Sequence, residues 1–331
     1  MIKIGLIGAG GIAHAHAEAI KSNNECTVTI VADINEEKAR ILAQKCDATA
    51  ITDYRTICNG NCEKPDVVML NLPHFLHKDA TIFFLSNGID VLVEKPMAIT
   101  KEECEEMMQA SEKFGTKLGI GHVQQYVDAH DKIKDIIKSG EYGRLVRITE
   151  VRNINYFENR SPWFLDKKLS GGGIVMNYCA HTLDKIMYIT EETPEDAYAI
   201  LSNTMNNHDV EEGAQVLVRF SGSISATFSY SGGKVPYEYE THFYFTEGAV
   251  TVRGEELLLY ENDCWKSYGV NKTSIFEKLI YSEPLEATGY DLHITVTVKN
   301  YTSIVVIAAV VVAFVIVYLI ITRKHRRNKV G

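Results

Sequence analysis

The amino-terminal part of the chain alternates short, continuously apolar runs with stretches of helical spacing. Lys3–Ile7, Thr27–Asp33, Asp66–Leu72 and Val91–Glu94 read as buried strands, and His14–Ser22, Glu36–Lys45 and Lys78–Ser86 read as the helices between them. Strands without a polar face, alternating with helices, predict a parallel sheet covered on both sides. From about His122 the pattern changes. One helix (Ala129–Ser139) precedes runs with period-two alternation at Leu145–Tyr156, Ala214–Phe220, Ser223–Tyr230 and Glu238–Phe245. Glycine breaks such as Gly232-Gly233 and Gly248 punctuate these runs, as hairpins require. The expected fold class is therefore α/β, with a parallel sheet over residues 1–121 and an α+β domain with a large, mostly antiparallel open sheet over 122–299.

The carboxyl end departs from both patterns. Ser303–Thr322 is 20 residues without a charge, followed by the basic tail 323–331. At about 1.5 Å per residue such a helix spans roughly 30 Å, the thickness of a bilayer core. A buried helix of that length would show a polar face and this one has none, so a transmembrane helix is expected. The basic tail favours a cytoplasmic carboxyl terminus. A body that starts without a signal peptide also belongs in the cytoplasm, and one span cannot satisfy both. The expectation is a cytoplasmic body anchored at its carboxyl end.

Composition narrows the function. Hydrophobic residues make up 46% and charged residues 23%, as in ordinary globular proteins. The formal charge of −9 is partly masked by the basic tail, and an acidic body argues against nucleic acid as a partner. The closest of the seven cysteines, Cys58 and Cys62, lack a second pair at zinc-finger spacing. Reduced thiols and no metal site are expected.

Gly8-Ala9-Gly10-Gly11-Ile12-Ala13 fits GxGxxA between the first strand and the first helix. Gly8 permits the tight turn, Gly10 lets backbone approach a pyrophosphate, and Ala13 keeps helix and strand close. Asp33 ends the second strand, where a carboxylate accepts hydrogen bonds from ribose hydroxyls and repels a 2′-phosphate. NAD is therefore expected over NADP; the competing reading of Asp33 is a cap for the next helix. Glu94-Lys95-Pro96 follows the strand at Val91, at the sheet edge where ligands bind, although the triplet alone could be a turn with a surface ion pair. Beside a cationic nicotinamide, the Lys95 ammonium would be destabilised and could donate to, or share a proton with, a substrate oxygen. Ser170–Gly173 leads into a helix over Ile174–Ile189, in which Asn177, His181 and Asp184 share one face. His181 is the member suited to proton exchange near neutral pH, and a core histidine bonded to a carbonyl is the alternative.

Taken together, GxGxxA, the acidic strand end, EKP and the glycines before a polar helix stripe resemble the glucose–fructose oxidoreductase/inositol dehydrogenase (Gfo/Idh/MocA) family. The resemblance covers roughly residues 1–285 and extends to Pro73, His77, Gly119–His122 and Trp163-Phe164. It implies a Rossmann domain, then a domain whose open sheet often forms an oligomer interface, hence a homo-oligomer. It also implies hydride transfer between NAD(P) and a hydroxyl carbon of a sugar, inositol or nucleotide sugar. By resemblance Lys95 is the catalytic lysine and His181 the acid–base histidine, while Glu94, His122, Trp163, Asn177 and Asp184 bind or orient substrate. Gly8, Gly10, Gly11, Ile12, Ala13, Asp33, Leu72, Pro73, His77, Glu94 and Lys95 line the cofactor. Asn177 stands where many members have aspartate, and Gln125 where arginine is frequent. These departures and the carboxyl end motivate an alternative, a membrane-tethered nucleotide- or sugar-binding protein without turnover.

Overall fold

The computed structural model describes residues 1–269 apart from Asn61, Thr204–Asn207 and Glu255. The chain divides into two compact units, the first over Met1–Val123 and the second beginning at Gln124.

In the first unit six strands form one sheet: β1 (Ile2–Ile7), β2 (Cys26–Ala32), β3 (Thr49–Ile51), β4 (Val67–Leu70), β5 (Asp90–Val93) and β6 (Leu118–Ile120). All pairings are parallel, in the order β3-β2-β1-β4-β5-β6. The order reverses between β1 and β4, so the loops after these strands diverge and open a crevice at the carboxyl edge. Leu6, Val31, Val68, Leu70 and Val93 are fully enclosed, as expected of strands covered on both faces. The helices are α1 (Gly11–Lys21), α2 (Glu36–Cys46), α3 (His77–Ser86) and α4 (Lys101–Phe114). Ala13 and Ala17 of α1 are buried in the core with Leu6 and Val31. Sequence periodicity started α1 three residues late and passed over α4 and β6. A legible signal for α4 was present. Thr100 Oγ1 accepts from the Glu103 N–H (3.2 Å), Glu103 Oε2 accepts from the Ile99 N–H (3.1 Å), and Gly115 ends the helix in the left-handed conformation.

The second unit holds an eight-stranded sheet of β7 (Leu145–Asn153), β8 (Pro194–Ser202), β9 (Gly213–Phe220), β10 (Ser225–Ser231), β11 (Glu238–Phe245), β12 (Ala249–Arg253), β13 (Glu256–Glu261) and β14 (Cys264–Tyr268). Their order is β14-β13-β12-β11-β7-β10-β9-β8, and β7–β10 is the single parallel pair among them. Among the described residues this unit also holds helices α5 (Asp128–Ser139), α6 (Lys167–Ser170) and α7 (Ile174–Thr190), and residues of α5 and α7 share one core with the inward side chains of the strands. In β9, Ala214, Val216, Val218 and Phe220 face inward, while Gln215, Leu217 and Arg219 face outward. The outward face leaves Tyr198, Ile200 and Leu217 at least half exposed.

The expected strand Leu145–Tyr156 ends at Asn153, although the Ile154 and Tyr156 N–H groups still donate to the Ser231 and Gly232 carbonyls (both 3.0 Å). The strand expected from Ser223 begins at Ser225, after a helical turn that includes left-handed Gly222. Strands β8 and β12–β14 were not foreseen. Leu292–Lys299, whose alternation reads as a strand, lies outside the described residues together with Ser303–Thr322 and the basic tail. Among the described residues no helix is long and apolar enough to cross a membrane.

Candidate active site

The glycine loop is shaped by steric necessity at its start and by open space at its end. Gly8 has φ +93°, and a Cβ there would lie 2.4 Å from the Asn71 carbonyl oxygen. Only glycine lets β1 and β4 converge this closely. Gly10 and Gly11 are exposed, and no atom lies within 4 Å of a Cβ built on either. Gly10 is the N-cap of α1 and offers no side chain to its first-turn N–H groups, and that turn has no acidic residue. Such a cradle of backbone donors fits a pyrophosphate. Ile12 is half-buried and Ala13 fully enclosed.

Asp33 lies just past β2. Its Oδ2 accepts from the Ala9 N–H (2.8 Å) and its Oδ1 from the Asn35 N–H (2.8 Å). The carboxylate is thus tied to the glycine loop itself. The cap of α2 is Asn35, whose side chain accepts from the Lys38 N–H, so Asp33 is not the helix cap.

The EKP turn follows β5 and is gripped from two sides. Glu94 Oε1 is 2.8 Å from His16 Nε2, and Glu94 Oε2 accepts from the Lys95 N–H (3.2 Å). Burial works to raise the Glu94 pKa, but the His16 hydrogen bond and the charges of His16 and Lys95 outweigh it and hold the carboxyl below its ordinary range. On the other side, His77 Nδ1 is 2.9 Å from the Pro96 carbonyl and its Nε2 is 2.8 Å from the Leu72 carbonyl. His77 is wholly enclosed, and burial lowers its pKa. It therefore sits behind the Leu72-Pro73 and EKP loops and ties them together, while Leu72 and Pro73 themselves are half-buried. Gly121 packs on Glu94, with a Cβ there 3.1 Å from Oε1. Burial pushes the pKa of the next residue, His122, down to about 3, with Glu94 opposing and Lys95 reinforcing the shift.

In the second unit the glycines before α7 have a reason that the sequence does not display. A Cβ on Gly173 would lie 2.1 Å from the Glu211 carbonyl oxygen, and one on Gly172 would lie 3.0 Å from Glu211 Oε2. Glu211 Oε1 accepts from the Val175 and Met176 N–H groups, both at 3.1 Å, and so closes the buried start of α7. Burial raises the Glu211 pKa against these backbone donors. Along α7, Asn177 and Asp184 are buried and His181 keeps part of its surface open. Asp184 Oδ1 accepts from Gln125 Nε2 (2.5 Å), and its Oδ2 is buried without a hydrogen-bond partner. Burial raises the Asp184 pKa to about 8, with the Gln125 bond opposing. At neutral pH this acid holds its proton. Trp163 stacks on Phe164 with ring centroids 3.7 Å apart.

The fold and the glycine loop find their match in known proteins. Residues 2–122 match an oxidoreductase family with an NAD-binding Rossmann fold, and residues 130–251 match the GFO/IDH/MocA C-terminal domain. The chain belongs to the Gfo/Idh/MocA oxidoreductase family. Its first unit is an NAD-binding Rossmann domain. It is 28% identical to 1,5-anhydro-D-fructose reductase of Ensifer adhaerens over 232 residues, which are 69% of this chain and 68% of that protein. It is 27% identical to glucose-6-phosphate 3-dehydrogenase of Bacillus subtilis (strain 168) over 223 residues, which are 66% of this chain and 62% of the relative. An NAD binding oxidoreductase from Klebsiella pneumoniae shares the fold, with a TM-score of 0.76, 21% identity and coverage of 98% of this chain and 97% of that one. These relatives are oxidoreductases, so the alternative of a binding protein without turnover gains nothing from them.

Sequence reasoning passed over His16 and Glu211. His16 had a signal, being a polar residue in the buried stripe of Ala13, Ala17 and Ile20. Glu211 had none, because its partners are 35 and 36 residues away.

Proposed function

We propose that this protein is an NAD-dependent oxidoreductase acting on a hydroxyl carbon of a sugar, inositol or nucleotide sugar. The observation that carries the reading is the joint geometry of the open Gly10–Gly11 cradle and Asp33. Two backbone N–H groups fix the acid at the end of β2, where it receives ribose hydroxyls and turns away a 2′-phosphate. This favours NAD over NADP. Bound NAD supplies the hydride acceptor.

The chain's own residues handle the proton and the developing charge. His181 takes the hydroxyl proton on its imidazole, and Lys95 Nζ donates a hydrogen bond to the oxygen as negative charge builds. Glu94, fixed by His16, holds the Lys95 backbone, and His77 holds Pro96 behind it. Asn177 lacks an ionisable proton and orients substrate, Asp184 presents a neutral acid on the same helix face, and His122 and Trp163 complete the substrate contacts. Self-association through the open sheet belongs to the same reading.

The test is NADH appearance by absorbance across aldoses, inositols and nucleotide sugars, with NAD and NADP titrated in parallel. Turnover should fall at least a hundredfold in both Lys95→Met and His181→Ala, with NAD affinity within about threefold of wild type. Asp33→Ser should narrow the preference for NAD over NADP. Turnover that survives both active-site changes would remove Lys95 and His181 from these roles.

A further inference from the structure

Two arginines of the second unit converge on one tyrosine beside the α7 stripe. The Arg152 guanidinium, on β7, lies between two rings, 3.8 Å from the Tyr178 centroid and 4.2 Å from that of Tyr239. Arg160 Nε donates to the Tyr156 carbonyl (2.8 Å), its Nη2 is 3.4 Å from the Tyr178 hydroxyl, and its guanidinium covers the Tyr156 and Phe164 rings. Among the described residues neither arginine forms an ion pair, and Arg152 Nη1 is buried with no hydrogen-bond partner. The carboxylate next to Arg152 on its own strand, Glu150, is already taken by Lys185, Thr182 and Thr241.

Both arginines are half-buried, yet an enclosed guanidinium N–H without an acceptor is costly, and stacking between rings orients the group without neutralising it. The cluster also adjoins the proposed chemistry. Tyr178 follows Asn177, about 100° round the helix. The Tyr239 hydroxyl lies 3.5 Å from Gln124 Oε1, and the neighbouring Gln125 holds Asp184 of the stripe. In a chain of net charge −9, two cations that form no ion pair beside that stripe, one of them sharing Glu150 with Lys185 only at longer range, call for an anion from outside.

We propose that Arg152 and Arg160 form an anion subsite, so that the sugar this protein acts on carries a phosphate or a carboxylate. The guanidinium planes accept such a group by paired N–H donation, which an uncharged hydroxyl cannot match. The inference rests on the oxidoreductase reading above for its substrate class.

The experiment compares D-glucose, D-glucose 6-phosphate, D-glucuronate and UDP-glucose with the full chain. It measures kcat/KM with saturating NAD, and calorimetric affinity for the NADH-loaded protein. At least one anionic sugar should exceed glucose by tenfold or more, and the favoured one tells phosphate ester from diphosphate from carboxylate. That advantage should shrink below threefold in Arg152→Met, survive in part in Arg152→Lys, and shrink in Arg160→Met, which serves if the first variant does not fold. Glucose matching every anionic sugar, or an anionic advantage untouched in both methionine variants, overturns the subsite. Anion-selective binding lost in the variants but without turnover of any sugar keeps the subsite and removes the oxidoreductase reading. Turnover of neutral sugars without anion preference does the reverse.

Discussion

Asp184 gives the sharpest quantitative test of the second unit. It is 7% exposed, its pKa is raised by burial from 3.8 to about 8, and Gln125 is its hydrogen-bond partner. In the unfolded chain the carboxyl ionises near pH 4, whereas in the fold it keeps its proton until about pH 8. Between these values the folded state binds the extra proton, so this group makes stability fall as pH rises, by about 1.4 kcal/mol per pH unit. His122 and His130, both pushed down to about 3 mainly by burial, act in the opposite sense below pH 6.5 and obscure the slope in wild type. Asp184→Asn isolates it. Asparagine fills the same space, still accepts from Gln125, and does not titrate, so the histidine contributions cancel in the comparison. From pH 5 to pH 7 the variant should gain about 2.7 kcal/mol on wild type. That corresponds to a relative Tm shift of roughly 5 to 10 °C. Thermal unfolding of both proteins at half-unit pH steps measures it. Parallel Tm curves would mean that Asp184 is ionised in the fold, and a neutral acid on the α7 stripe would be wrong.

Two further perturbations separate steric from ligand-binding roles. Gly8→Ala places a Cβ 2.4 Å from the Asn71 carbonyl oxygen at φ +93° and should cost about 2–3 kcal/mol of stability, whereas Gly10→Ala meets no atom within 4 Å and should leave Tm unchanged while weakening NAD at least tenfold by calorimetry. Equal Tm losses in the two would undo this division of labour. Glu211→Ala leaves the Val175 and Met176 N–H groups buried without an acceptor and should cost about 1–3 kcal/mol by denaturant unfolding, with most of it restored in Glu211→Gln; an alanine variant as stable as wild type would show that the cap contributes nothing.

The first unit was largely legible in the sequence because its determinants are local. Apolar strand runs, a glycine loop at a strand–helix junction and an acid at the next strand end lie within 33 residues of the amino terminus. The backbone demands these residues impose are met by near neighbours. The helix face of Asn177, His181 and Asp184 was equally readable, since 3.6-residue periodicity alone places them together. Weak or unpatterned segments such as β8 and β12–β14 were not, because β8 and β14 at the sheet edges mix polarity and the internal β12 and β13 are too short to show a clear period.

Tertiary structure decided everything that depends on partners distant in sequence. His16 meets Glu94 from 78 residues away, Gln125 meets Asp184 from 59, and Lys185 finds Glu150 from 35. No spacing rule encodes such pairs. Whether Asp184 is neutral, why Gly172 and Gly173 cannot bear side chains, and which arginines lack a counter-charge all follow from what the fold brings near them. Burial sets the cost of each charge, and burial belongs to the packed chain rather than to any stretch of it.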